Sequence, residues 1–267
     1  MLAGIRLYFR YIGISIQAQM EYRASFLMQT LAHFLITVFD FVALWALFQR
    51  FDNILGWSFY EITVFYGMIG IAFSINDTLT RGFDIFGSLI RTGEFDRYLL
   101  RPRSTIVQLL GYKFEMKRVG RFSQGLIVLL IGTTHLQVIW TTGKILILLW
   151  ALFGAVCLFM GLIVIQAALA FWTTETLEIM NTLTYGGIET AQFPLTIYRP
   201  WFRKFFTFVV PLACVNYFPV LLILEKPDPL GTSPIFQALA PLAGVCFLLA
   251  GLLFWSFGLR YYSSTGS

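Results

Sequence analysis

The chain has 267 residues, of which 58% are hydrophobic and only 12% are charged, with a net charge of +5 at neutral pH. Its mean hydropathy of +0.74 is too high for an ordinary soluble domain. Several runs of about 18 or more residues lack Lys and Arg, as a membrane-spanning helix requires. Because lipid offers the backbone no hydrogen-bond partners and the runs are longer than barrel strands, we predict an all-α, multi-pass membrane protein. The basic excess tracks the membrane, which argues against nucleic-acid binding.

Residues 1–24 predict an amphipathic helix that lies in the membrane interface. Arg6 and Arg10 interrupt the apolar residues, which argues against a secretory signal peptide and against an ordinary first span. Leu2 and Ile5 share one helical face, and both arginines lie near its edge.

Six later runs predict membrane spans, and the basic residues between them alternate sharply. The predicted spans are 26–49, 60–80, 122–138, 144–172, 205–224 and 235–261. Sixteen of the nineteen Lys and Arg fall on one side of these spans, Arg199, Arg203 and Lys204 among them. The positive-inside rule therefore predicts cytoplasmic termini and a cytoplasmic loop at 81–121.

Small residues recur every seven positions in two of these runs. Gly154 and Gly161 do so in the fourth predicted span, and Gly244, Gly251 and Gly258 in the sixth. A seven-residue repeat keeps each set on one helical face, where small side chains let two backbones approach closely. We expect these glycines to pack helices together, within one bundle or between protomers.

The side chains that usually carry catalysis or metal binding are sparse. His33 and His135 lie on different predicted spans, and neither has a carboxylate or second histidine one helical turn away. Cys157, Cys214 and Cys246 all fall in apolar stretches without metal-ligand spacing, as buried small side chains do. We therefore predict no catalytic residue, no metal site and no cofactor held by this chain.

A nucleotide-binding loop is also missing from the sequence. The one Gly-Lys pair is Gly143 and Lys144, but Val138 stands where the motif needs its first glycine, and Ile145 where it needs Ser or Thr. Any transport driven by ATP therefore needs a separate ATPase.

Asp40 is the one acidic residue deep inside a predicted span. An intramembrane carboxylate is costly and is a functional candidate by default. His33 lies seven residues earlier on the same face, but the rise of about 10 Å is too long for a direct hydrogen bond. Two interpretations stay open: a carboxylate hydrogen-bonded inside the bundle, or a proton-coupling group.

The loop at 81–121 carries a charged tip that reads GEFDRYLLRP, from Gly93 to Pro102. Gly93 allows a sharp reversal, a short helix of about two turns follows, and Pro102 ends it. An amphipathic helix then returns to the third predicted span, so we expect a helical hairpin.

The region after the fourth predicted span departs from a simple pattern. Residues 173–192 are too polar to span a bilayer, and 193–206 predict an interfacial element that leads into the span at 205–224. Pro211 and Pro219 break the backbone hydrogen-bond ladder of that span. The short outer segment excludes a large extracellular domain.

Two stretches resemble a known family. LIRTGEFDRYLLRP at 89–102 matches the pattern (L/I)-R-x-G-x-(F/L)-D-x-x-L-L-R-P, and FPLTIYRPWFRKFFTFVVPLACVNYFPVLLIL at 193–224 matches a second. Together with the N-terminal helix, the six spans and the hairpin between spans two and three, they are similar to permease subunits of type-2 ABC exporters. The likeness is to a poorly characterised bacterial branch and covers essentially the whole chain.

The resemblance implies one permease domain, 1–267, in the bacterial inner membrane. It implies two separate cytoplasmic ATPases that bind ATP and magnesium, and a second permease that is identical or related. It also implies short re-entrant helices at 222–239. The aromatic-rich, charge-poor spans favour an amphipathic or lipid-like substrate for export.

The resemblance also gives the tip a role as the coupling helix that contacts an ATPase. Phe95, Leu99 and Tyr98 would enter a groove on the ATPase, and charged neighbours would set the register; the seven candidate residues are Glu94, Phe95, Asp96, Arg97, Tyr98, Leu99 and Arg101. The alternative is a helix held on anionic lipid by its arginines. Two other functions also stay open: a proton-coupled secondary transporter that uses Asp40, and a non-transporting scaffold subunit of a membrane complex.

Overall fold

The computed structural model describes residues 2–173 and 177–263. The prediction of an all-helical protein is confirmed, with no strand among these residues. The α-helices are α1 (Leu2–Glu21), α2 (Arg23–Arg50), α3 (Phe59–Leu79), α4 (Arg81–Asp84), α5 (Phe86–Arg91), α6 (Asp96–Leu99), α7 (Thr105–Leu110), α8 (Val119–His135), α9 (Thr142–Leu169), α10 (Leu177–Ala191), α11 (Pro200–Phe208), α12 (Phe218–Leu224), α13 (Pro234–Leu239) and α14 (Leu242–Tyr261).

The described helices confirm a protein that crosses a membrane several times. Four of them, α2, α3, α9 and α14, are long and apolar enough to span a bilayer. The helix α11 and residues 213–224 together are also long and apolar enough, but they meet at 82°, as in a broken span or a re-entrant loop. The 17 residues of α8 are about 25 Å long, which is close to the shortest helix that spans. A count of six spans stays a prediction.

The helix α3 is the centre of the bundle. Of its most apolar stretch, 83% is buried, against 11% for α2, which lies at the edge. We call the end of the bundle with the α2–α3 turn, residues 51–58, the outer end, and the end with α4–α7 the inner end. These names follow the sidedness predicted from charge.

Glycines bring α8 against its neighbours. A Cβ atom on Gly67 of α3 would lie 2.5 Å from the Leu129 amide nitrogen of α8, and one on Gly120 would lie 2.2 Å from the Thr30 carbonyl oxygen of α2. Contacts this short leave no room for a side chain, so the backbones of α2, α3 and α8 pack directly. The sequence analysis did not identify these glycines.

The two glycine repeats face each other within one chain, along α9 and α14. A Cβ atom on Gly244 would lie 2.1 Å from the Gly154 carbonyl oxygen, and one on Gly251 would lie 3.1 Å from that of Gly161. Farther along, a Cβ atom on Gly258 would lie 2.5 Å from Phe171. Gly244 lies in the first turn of α14, and the glycine it contacts, Gly154, lies well inside α9. The helix α14 therefore begins midway along the bundle.

The segment judged too polar to span runs along the central helix. The ring of Tyr185 in α10 packs on Phe73 at 5.9 Å, near the inner end of α3. Trp57 Nε1, at the outer end, donates a hydrogen bond to Thr196 Oγ1 at 3.0 Å. The chain from 185 to 196 therefore rises antiparallel to α3, from its inner part to the outer end.

This path makes the predicted fifth span, 205–224, wrong in position. The segment that starts beside Trp57 turns through α11 and residues 213–224 and returns to the outer end, where Lys226 Nζ pairs with Glu61 Oε2 at 2.7 Å. Arg199 follows Thr196 by three residues and so lies in the outer half, not at the inner end as predicted. The same correction applies to Arg203 and Lys204 in α11.

The inner hairpin differs from its prediction in detail. Gly93 has φ +70° and makes the expected reversal, but α6 is only four residues long and ends at Leu99. Between the end of α3 and Gly93 the chain forms two short helices, α4 and α5, after a break at Thr80. A Cβ atom on Gly82 would lie 2.0 Å from the Leu109 carbonyl oxygen, so α4 and α7 are in direct backbone contact.

We expect Gly244→Ala to lower the thermal unfolding midpoint of the detergent-solubilised protein. The new methyl group must displace the Gly154 carbonyl, and overpacking of this kind costs about 1–3 kcal/mol. Gly186→Ala is the matched control, because no atom lies within 4 Å of its Cβ position and alanine favours a helix. An equal loss in both variants would contradict the packing role of Gly244.

Candidate functional site

Six aromatic side chains meet at the inner end of the bundle, and we call them the aromatic cluster. They are Phe83, Phe86, Phe95, Phe171, Trp255 and Tyr262. Phe95 has 0% exposure, and its ring centroid lies 4.8 Å from that of Phe86 and 5.1 Å from that of Tyr262. Edge-to-face contacts at such distances add to the stabilisation that burial itself provides.

The aromatic cluster joins four parts of the chain. Phe86 opens α5, Phe95 lies in the hairpin tip, Phe171 follows the end of α9, and Trp255 belongs to the last turns of α14. Trp255 is fully buried, and its indole nitrogen lies 3.4 Å from Thr105 Oγ1 at the start of α7. The hairpin is therefore attached to the α9–α14 pair and not free in solvent.

A hydrogen bond ties the tip to the end of α14. The hydroxyl of Tyr262 donates to Asp96 Oδ1 at 2.8 Å. Burial, followed by this hydrogen bond and the charge of Asp96, raises the pKa of Tyr262 to about 12. The phenol is therefore a stable donor at neutral pH, and Asp96 is held by a residue of its own chain.

The tip residues face in different directions. Phe95 points into the bundle, so the expectation that it enters a groove on a partner is wrong for this structure. Leu99 is 43% exposed and Leu100 is 85% exposed. Sequence reasoning named Leu99 as a candidate and left out Leu100, although the Leu-Leu pair was visible in the motif.

Charged groups surround these exposed leucines. Glu94, Arg97 and Arg101 are exposed, and the Arg101 guanidinium lies over the ring of Tyr98 at 5.4 Å. This cation–π contact orients Arg101 beside the apolar patch. The tip thus presents two leucines with acidic and basic neighbours.

A buried carboxylate organises the second half of the hairpin. The side chain of Glu115 is 4% exposed and has four cationic groups at 3.4 to 3.6 Å, those of Arg81, Lys113, Lys117 and Arg118. Burial alone would raise the pKa of Glu115, but these cations together lower it below its ordinary value. Glu115 therefore stays ionised at neutral pH.

The same ionic group reaches the end of the central helix. Arg118 Nε lies 2.9 Å from Asp77 Oδ2 near the C-terminus of α3, and Arg81 of α4 pairs with Asp84. The loop at 113–118 is thus fixed to α3. Sequence reasoning noted these basic residues only as loop charge; the alternation in KFEMKR, with one glutamate among three cations, was the available signal.

The N-terminal helix holds this loop from the other side. Ser15 Oγ accepts a hydrogen bond from the Phe114 amide at 3.0 Å, and Gln19 Oε1 accepts one from the Met116 amide at 3.0 Å. These bonds satisfy the backbone donors of Phe114 and of Met116, where a short 3₁₀ helix, Met116–Arg118, begins. A helix, α1, lies within the range 1–24; the amphipathic character and the place in the membrane interface that the sequence suggested stay predictions.

Asp40 lies on the exposed surface of α2. This position does not fit the interpretation of a carboxylate hydrogen-bonded inside the bundle. Another carboxylate, that of Asp77 near the end of α3, pairs with Arg118 at the inner end. The neighbouring polar contact on α2 belongs to Thr37, whose carbonyl accepts from the Tyr66 hydroxyl at 3.4 Å.

The described residues thus form a multi-pass helical bundle with a structured hairpin at one end. A family model described as "ABC-2 family transporter protein" matches residues 34–266. The chain therefore belongs to the ABC-2 transporter family, whose members are permease subunits that work with ABC ATPases. No curated protein and no solved structure matches the chain.

We expect Phe95→Ala and Leu100→Ala to separate structural from exposed tip residues. Removing the buried Phe95 ring leaves a cavity, and such a change costs about 3–5 kcal/mol. Leu100→Ala changes an exposed side chain and should alter stability by less than about 0.5 kcal/mol. The measurement is thermal unfolding in detergent; similar midpoints for the two variants would contradict the aromatic cluster as an anchor.

Proposed function

We propose that this protein is the membrane subunit of an ATP-driven exporter whose energy comes from separate cytoplasmic ATPases. The observation that carries the proposal is the hairpin tip, where Leu99 and Leu100 are exposed while Phe95 beside them is buried. Apolar side chains exposed in a charged setting are typical of a protein-binding patch. Family membership supports an ABC ATPase as the partner.

Within this proposal, Leu99 and Leu100 contact the ATPase, and Glu94, Arg97 and Arg101 set orientation. Apolar anchors supply most of the affinity of such a contact, and rim charges supply partner choice and association rate. Phe95, Asp96 and Tyr98 hold the tip on the permease. The patch is small, so we expect the second attachment of a pair of ATPases, one for each permease, to add avidity.

Motion at the tip has a direct route to the spans. Phe95 contacts Trp255 of α14 at 6.4 Å and Phe171 at 6.0 Å between ring centroids. Beyond these rings, α9 and α14 are in backbone contact along their glycine repeats. We therefore propose that ATP-driven displacement of the tip moves the α9–α14 pair as a unit.

The edge helix α2 supports a complex with a second permease, identical or related. Little of its apolar stretch is buried in the protomer, and Asp40 lies on its exposed surface. A carboxylate that faces hydrocarbon is strongly disfavoured, whereas one that faces a second permease or a polar path is not. We propose that α2 lies at the permease–permease interface, where the substrate crosses.

The proposal also covers the orientation of the protein in the membrane and the class of its substrate. The inner end faces the cytoplasm of a bacterial cell membrane with both termini inside, and the helices α12 and α13 form a re-entrant pair at the outer side. The charge asymmetry is smaller once residues 199–204 move to the outer half, but it keeps its sign. Aromatic, charge-poor spans favour an amphipathic or lipid-like substrate.

The coupling role predicts that Leu99→Asp/Leu100→Asp sharply reduces co-purification of a partner ABC ATPase that is co-expressed with the protein. Two carboxylates in place of the leucines remove the apolar anchors, and we expect ATPase recovery to fall by at least about tenfold. Transport activity of the reconstituted complex should fall in parallel.

The matched control is Ile139→Asp, because Ile139 is 82% exposed at the opposite end of the bundle. It adds one carboxylate, where the double variant adds two, to an aliphatic residue about as exposed as Leu100, and it should leave ATPase recovery unchanged. Full recovery of the ATPase with the double Asp variant would refute the coupling role of the tip.

The interface role of α2 predicts cross-linking through Phe39, which is 69% exposed. In a Cys246→Ser background, where Cys157 and Cys214 are buried, Phe39→Cys in membranes should react with a second permease subunit under a short thiol cross-linker. The product should run near twice the 30.5 kDa of the chain. Leu253→Cys, on the 72% exposed surface of α14, is the control; equal cross-linking there would contradict the assignment.

A further inference from the structure

A cavity lies where α1 meets α2, beside the basic loop at 113–118. Its volume is about 260 Å³, and its walls come from Gln19, Tyr22, Ser25 and Gln29 on one side and from Lys113, Glu115 and Lys117 on the other. Pockets for drug-sized ligands measure about 300–1,000 Å³, so this one suits a smaller polar group. The hairpin tip, which carries the proposed ATPase contact, is not part of these walls.

The charges around the cavity leave one positive charge in excess. Arg118 is matched by Asp77 at 2.9 Å, and Arg81 by Asp84. Glu115 then remains as the single carboxylate shared by Lys113 and Lys117. An anion that enters the cavity therefore meets a net attraction.

The lysines also keep donors available. Lys113 Nζ and Lys117 Nζ lie 3.5 and 3.6 Å from the Glu115 carboxylate oxygens, longer than an ordinary N–H···O bond of about 2.7–3.2 Å. Their side chains are 52% and 29% exposed, whereas that of Glu115 is 4% exposed. An incoming anion thus reaches the ammonium groups before it meets the carboxylate.

The place of the cavity in the fold points to a membrane lipid. Tyr22 marks the junction between α1 and the first long apolar helix, and Phe26 in the cavity wall belongs to the first turn of that helix. Ile36, two turns beyond Gln29 on the same face of α2, is 59% exposed, so an apolar surface continues from the polar cavity. A phospholipid matches this arrangement, with its phosphate next to the two lysines in the polar cavity and its acyl chain along the apolar surface of α2.

We propose that this cavity binds the phosphate of an anionic phospholipid headgroup, with Lys113 and Lys117 as its ligands and Gln29 and Ser25 lining the opposite wall. Binding orders the loop at 113–118 against α1 and so supports the base of the hairpin. Basic pockets beside membrane helices are known recognition sites for anionic headgroups. The proposal concerns a bound lipid and does not depend on which substrate the protein moves.

Native mass spectrometry of the full chain released from nanodiscs tests the proposal. We expect the wild-type protein to retain one phosphatidylglycerol from discs that contain equal amounts of phosphatidylglycerol and phosphatidylcholine. Lys113→Gln/Lys117→Gln should reduce that retention by about tenfold or more, since each basic residue contributes about 1 kcal/mol to anionic-lipid binding. Arg91→Gln/Arg97→Gln removes the same charge from exposed sites outside the cavity and should retain the lipid.

Gln29→Phe keeps both lysines and fills the cavity, so it should also lose the lipid without disturbing the Glu115 ion pairs. If the double lysine variant fails to fold, lipid retention by Gln29→Phe still tests whether the cavity binds the lipid. Equal retention of the two lipids, equal loss in the Arg91/Arg97 control, or undiminished retention in Gln29→Phe would each overturn the proposal. Saturable binding of inorganic phosphate that displaces no lipid would identify a free-phosphate site instead and would also overturn it.

Discussion

The inner half of the protein depends on how Phe95 is packed. Its ring is enclosed by residues from α5, the end of α9 and the end of α14, and a neighbouring hydrogen bond joins Asp96 to Tyr262. These contacts turn a charged loop, which would otherwise be a mobile connection, into a folded part of the bundle. The hydrophobic gain from one buried aromatic ring, about 2–3 kcal/mol, is available only if the hairpin stays closed.

The hairpin has a second attachment, and the two are made of different interactions. Aromatic packing joins its tip to α9 and α14, whereas the ions around Glu115 and the hydrogen bonds of Ser15 and Gln19 join its base to α3 and α1. Packing is insensitive to salt, while the exposed members of the ion group are partly screened by it. The exposed pair Leu99 and Leu100 lies at the tip, next to the aromatic attachment.

The sequence predicted the candidate tip residues from a motif, but it did not predict the direction of each side chain. GEFDRYLLRP was correctly placed at the tip of a hairpin with a reversal at Gly93. Phe95 and Leu99, four residues apart, share a helical face in sequence, and nothing in their spacing tells which one is buried. The turn before α6 directs Phe95 inward, because Phe86, Phe171 and Trp255 offer an apolar space that no local pattern reveals. The same reason hid Tyr262, whose role depends on Asp96, 166 residues away.

Hydropathy, charge and residue spacing by themselves determined the membrane class, the helical content, the long apolar helices and the glycine faces of α9 and α14. Each of these follows from the transfer energy or the periodicity of a single segment. The path of α10 and of residues 196–226 was decided only by tertiary structure. The helix α10 is too polar to face lipid by itself, but it lies along α3, where neighbouring residues cover its polar groups. The apolar, proline-containing segment 196–226 folds back because its two ends contact Trp57 and Glu61 at the outer end. Local hydropathy describes an isolated helix in lipid. It does not predict these segments, because they are stable only when they pack against the other helices.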